Sequence, residues 1–105
     1  MKLEGKLKED FLRWLCIKEN GNDRAIYGIE KWFKELPQSA QFGLIQEYAD
    51  MLGYRIVINW EQNYKEPVRW EYFLGKWVED FKSRPEAQLA VVEKLNEIVN
   101  QLKDK

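Results

Sequence analysis

The chain has 105 residues, with 17 Lys and Arg against 18 Asp and Glu for a formal net charge of −1, no His, one Cys and five Trp. That length predicts one domain, 1–105, and an apolar fraction of 45% is ordinary for a globular chain. Without His and with Cys16 alone, a His- or Cys-based zinc site, a Ser–His–Asp triad, a Cys–His dyad and an internal disulfide are all excluded. No run approaches the ~20 apolar residues of a membrane helix. The densest, Phe11 to Ile17, contains Arg13. Residues 1–6 lack the apolar block and cleavage site of a secretory signal. A lone cysteine fits a reducing compartment, so a cytoplasmic protein is expected.

Charge is spread evenly: residues 1–36 carry 8 basic and 7 acidic groups, 37–66 carry 2 and 4, and 67–105 carry 7 and 7. A first helix is predicted over 3–19, because Leu3, Leu7, Phe11, Trp14 and Leu15 fall on one face and Gly21 can close the helix in the left-handed conformation. A second fits 24–36, with Asn22 or Asp23 as N-cap, Ile26, Ile29, Phe33 and Leu36 in register, and Pro37 as its stop. A third fits 39–52, capped by Ser39 and ended by Gly53. The period then changes to two. Tyr54, Ile56, Ile58 and Trp60 alternate with Arg55, Val57, Asn59 and Glu61, and Val68, Trp70, Tyr72 and Leu74 alternate again after a polar connection. Two such runs predict an antiparallel hairpin or small sheet within 54–81. Trp70, Phe73, Leu74, Trp77, Val78 and Phe81 also satisfy helical spacing, so an all-α fold is the alternative; Gly75 and the β-forming composition favour strand, with Gly75 at a bend or bulge. Ser83-Arg84-Pro85-Glu86 is a capping box opening a long helix over 84–103, with Ala87, Val91, Leu95, Ile98 and Leu102 as its buried stripe. The fold class expected is α+β.

Leu3-x-Gly5-Lys6-Leu7, Leu36-Pro37-x-Ser39-x-Gln41-x-Gly43 and Ser83-Arg84-Pro85-Glu86-Ala87 followed by Glu93-Lys94-x-Asn96-Glu97-Ile98 together resemble a group of small bacteriophage and prophage proteins with no assigned function. The likeness runs through three separated patches. Ala40 stands where that group leads one to expect Met, and 54–81 shares only a strand-like character. The resemblance implies a small intracellular phage accessory protein and carries over no activity and no catalytic residue.

With no His, paired carboxylates are the main acid–base candidates, yet Glu9-Asp10, Glu79-Asp80 and Glu30 with Glu35 read as solvated faces among Lys and Arg. Asn20, Asn22 and Asp23 lack the spacing and distal Glu of a calcium loop. Six dispersed glycines make no phosphate cradle. No metal, cofactor or enzymatic role is therefore expected. The aromatics are the informative signal: five Trp, five Tyr and five Phe are many for this length. Large rings fill small cores, but Trp, Tyr and Arg also dominate interfaces. Strand periodicity sends Tyr54, Ile56, Ile58, Trp60, Val68, Trp70, Tyr72 and Leu74 to a face that helices should cover. It leaves Arg55, Val57, Asn59, Arg69, Glu71 and Phe73 for a second face, with Trp77 as a further candidate for it. Arg55, Val57, Arg69, Phe73 and Trp77 are accordingly the candidate partner-binding residues of a non-enzymatic protein–protein interaction module. The alternative is a nucleic-acid-associated protein stacking bases on the sheet aromatics. Three basic against three acidic groups in 54–74 make a nucleic acid the less favoured partner.

Overall fold

The computed structural model describes residues 1–103 and orders the elements as α1 (Gly5–Asn20), α2 (Ile26–Glu35), α3 (Gln38–Met51), β1 (Val57–Glu61), β2 (Arg69–Phe73), β3 (Trp77–Phe81) and α4 (Arg84–Lys103). The fold is α+β, and the all-α alternative is wrong. Residues 68–81 hold two strands: Gly75, at φ +77°, turns the chain between β2 and β3. The three strands form one antiparallel sheet in the order β1-β2-β3.

The helical half is built around Phe11 of α1. Its ring meets Phe33 of α2 edge-on at 5.1 Å and Tyr48 of α3 at 5.5 Å, while Trp14 lies 5.2 Å from Tyr48. Four aromatics thereby join three helices, and the two edge-on pairs of Phe11 each add about 0.5–1.5 kcal/mol beyond the area they bury. Leu7, Leu15, Ile45, Val91 and Leu95 complete the core, and Cys16 is buried within it. Desolvation raises the Tyr48 phenol above its ordinary pKa, with Asp10 adding to the shift.

Helix ends are satisfied in ways that local spacing does not announce. The predicted caps of α2 and α3 are not used: α2 starts after Ala25 and α3 after Pro37, neither with a side-chain cap. Asn22 instead accepts from the Arg24 N–H at 3.0 Å within the turn. The buried Gln41 closes α2 from the next helix, its Nε2 donating to the carbonyls of Phe33 and Leu36, both at 3.0 Å. Helix α3 ends as expected at Gly53 (φ +92°): the Tyr54 N–H reaches Ala49 O and the Gly53 N–H reaches Asp50 O, the paired bonds of a Schellman turn.

At the start of α1 the capping groups come from α4. Asn100 Oδ1 accepts from the Leu7 N–H at 3.0 Å and its Nδ2 donates to Glu4 O at 2.9 Å; Asn96 Oδ1 accepts from the Glu4 N–H at 2.8 Å and its Nδ2 donates to Lys2 O at 2.8 Å. The two amides clamp the segment before α1 to the last helix, about 90 residues away in sequence. Gly5 is required there, because it sits at φ +60° and a Cβ would stand 3.1 Å from Asn100 Oδ1.

The capping box of α4 is present with one change. Ser83 Oγ accepts from the Glu86 N–H at 3.3 Å, but the Glu86 carboxylate accepts from the Lys82 N–H rather than that of Ser83. Helix α4 is the middle of the molecule, packed against all three strands and against α1 and α3. Its predicted stripe is buried at Ala87, Val91 and Leu95, half-buried at Ile98 and exposed at Leu102.

Candidate interaction surface

Each sheet face follows from the strand register. Val57 pairs with Phe73 and Phe73 with Trp77; Ile58 pairs with Tyr72 and Tyr72 with Val78; Trp60 pairs with Trp70 and Trp70 with Phe81. Directly opposed residues share a face. The side carrying Ile58, Tyr72 and Val78 is covered by α4, and burial raises the Tyr72 phenol above its ordinary pKa. Tyr72 stacks on Phe81 at 5.6 Å.

Cover fails at the far end of that face. Trp60 is 56% exposed and Val68 is exposed, contrary to the expectation that helices hide both. The covering layer stops short of Trp60 and Val68, so alternation chose the side correctly but not the reach of the cover.

The opposite face carries no buried residue: Val57, Glu71 and Phe73 are half-buried, while Asn59, Glu61, Arg69 and Trp77 are exposed. Three of the five candidate residues come together there. Val57, Phe73 and Trp77 form one apolar row across all three strands, with the Phe73 and Trp77 rings 5.3 Å apart. Trp77 is 48% exposed. Arg69 lies on the same face four residues along β2 from Phe73, at the other end, where Glu66 and Asp80 each contact its guanidinium at 3.5 Å. Arg55 is exposed and precedes β1, outside the paired strand.

Between the two ends Asn59 Nδ2 donates to the Glu71 carboxylate at 2.9 Å. Opposite Glu71, β3 holds two residues, Glu79 and Asp80, where the register shifts, with Asp80 at φ +76°. This is a β-bulge, and Asp is among the side chains that tolerate the left-handed conformation it needs. Glu61, Glu66, Glu71 and Glu79 line one shallow depression with Arg69. The face is thus apolar at one end and acidic at the other. Sequence periodicity missed the Glu79-Asp80 part of this margin, because the contribution of β3 appears only once 68–81 is split at Gly75-Lys76.

Other clefts lie elsewhere, two of them along the helices. One of about 570 Å³ is walled by Lys2, Glu4, Asn96 and Asn100 of the α1–α4 clamp, together with Glu93. The other, about 510 Å³, has Leu3, Phe11, Leu12, Phe33 and Leu89 along it, with Lys8, Lys34 and Glu30 at its edge. Lys8 and Lys34 each contact the Glu30 carboxylate at 3.0 Å. Their hydrogen bonds, that of Lys8 foremost, hold its carboxyl below the ordinary range.

Among the described residues no group of three or more Cys, Asp or Glu is placed to hold a metal, and no helix is long and apolar enough to cross a membrane. Buried Cys16 has the Asn20 amide at 3.7 Å as its polar neighbour. No family model, no curated protein and no solved structure matches the chain.

Proposed function

We propose that the chain is a non-enzymatic protein–protein interaction module whose contact surface is the helix-free face of the sheet. The carrying observation is the row Val57–Phe73–Trp77, three apolar side chains in register on a face that carries no fully buried residue. An aromatic anchor within a polar surround is how compact interfaces gain most of their affinity. The acidic residues beyond the row favour a partner that offers an apolar side chain next to Lys or Arg. The same carboxylates weigh against phosphate, which places a nucleic-acid role second. The setting implied by the resemblance, a cytoplasmic phage accessory factor acting on a host or phage protein, belongs to this proposal.

The test is capture of partners from host-cell lysate by wild type, Trp77→Ala and Tyr27→Ala. Trp77→Ala should lose the captured protein while the denaturation midpoint moves by less than about 1 kcal/mol, as for exposed positions generally. Tyr27, fully outside on α2, serves as the control and should capture as wild type does. Raising salt should weaken capture, since screening acts on the exposed acidic margin. Undiminished capture by Trp77→Ala removes this face from consideration.

A further inference from the structure

We propose that two copies of the chain pair through the free edge of β1, antiparallel about a two-fold axis at Asn59, and join their sheets into one of six strands. The inference is independent of the uncovered face and would stand without it.

The two outer strands of the sheet are not equivalent. The β3 edge carries the bulge at Glu79-Asp80 and is flanked by Lys76 and Lys82, devices that discourage a further strand from adding. The β1 edge, Val57-Ile58-Asn59-Trp60-Glu61, has no Pro, no Lys and no bulge, and pairs residue for residue with β2. Its outward backbone donors and acceptors call for an extended chain. The open segment has a defined beginning, because Gln46 Nε2 of α3 takes the carbonyl of Ile56 at 2.8 Å.

A second copy fits that segment. With Asn59 opposite Asn59 of the second copy, Ile58 faces Trp60 and Val57 faces Glu61, so all five residues pair and α3 is not displaced. Both Trp60 rings, now 56% exposed, then gain an aliphatic cross-strand neighbour on the helix side. Arg55, exposed two residues before Val57, lies diagonal to Glu61 of the second copy, within reach of a long side chain. The strand thus has a positive flank at its start and a negative residue at its end, and antiparallel self-pairing sets each against the other. Five pairs per strand make a small interface, so the association should be weak and concentration-dependent.

Cysteine placement tests the register. In this pairing the two Asn59 Cα atoms stand about 4.5–5.5 Å apart, within the ~4.4–6.8 Å span of a disulfide. The two Glu61 Cα atoms are about 14 Å apart, four residues of strand rise. Asn59→Cys should therefore cross-link to a covalent dimer under mild oxidation and Glu61→Cys should not, with buried Cys16 common to both. Sedimentation should show wild type dimerising as concentration rises and Trp60→Lys remaining a monomer with unchanged far-ultraviolet circular dichroism. The proposal is overturned if wild type stays monomeric, if Asn59→Cys links no faster than Glu61→Cys, or if Trp60→Lys dimerises like wild type. Should Asn59→Cys fail to fold, the sedimentation comparison decides alone.

Discussion

Removing the Asn96 side chain should loosen the whole N-terminal segment. Asn96 is buried, and Asn96→Ala deprives the Glu4 N–H and the Lys2 carbonyl of their 2.8 Å partners. Val92 O, its third contact at 3.1 Å, keeps the ordinary helical bond. Leaving a part-buried polar group unpaired costs about 1–3 kcal/mol, so two come to about 3 kcal/mol near the low end. Ala is a better helix former than Asn by up to ~0.7 kcal/mol, which leaves a net loss of about 2 kcal/mol. With an unfolding entropy of ~2.1 cal/mol/K per residue, Tm should fall by about 9 °C. In urea the midpoint should fall by about 1 M for a slope near 2 kcal/mol/M. Asn100→Ala releases the same Glu4 from its carbonyl side, so the double variant should lose less than the sum of the singles. Trp fluorescence and circular dichroism against urea read both effects. A midpoint within about 0.5 kcal/mol of wild type, or strict additivity, would refute the clamp.

Two further outcomes follow from local geometry. Ser83→Ala removes the oxygen that accepts from the Glu86 N–H and should cost about 0.5–2 kcal/mol by chemical denaturation; an unchanged midpoint would mean that water replaces the cap without loss. Glu30 is held ionised by Lys8 and Lys34, so its folded-state pKa lies below its unfolded value. Its contribution is complete above the unfolded value and is lost as pH falls through the lowered one. Glu30→Gln should therefore be less stable than wild type at neutral pH and converge with it in acid; parallel stability curves down to about pH 2 would contradict this.

The helices were legible because their apolar spacing is strong and Gly21, Gly53 and Pro37 punctuate them. Strand existence was legible from alternation at Ile56, Ile58, Trp70 and Tyr72. The end-capping was not. Asn96 and Asn100 act on residues about 90 positions away, and Gln41 acts on the preceding helix; no local spacing encodes such contacts. Gln41, Asn96 and Gly5 sit in the three sequence patches quoted at the outset, and the clamp requires Gly5. Those patches have structural work to do in this fold, and the proposed surface lies in the middle region outside them. Trp60 shows the other limit. Period two assigns a side chain to a face, while its exposure depends on how far the covering layer reaches across that face.

Site-specific cross-linking decides whether the uncovered sheet face meets a partner. A photoreactive phenylalanine analogue placed at Trp77, and separately at Tyr27 on α2, reports which surface is in contact inside cells that make the protein. Trp77 lies in the apolar row and Tyr27 is exposed on the helical half. A discrete heavier adduct containing a different protein should form from position 77 and not from position 27. Adducts from position 27 alone, or none from position 77 in a folded variant, would contradict the assignment.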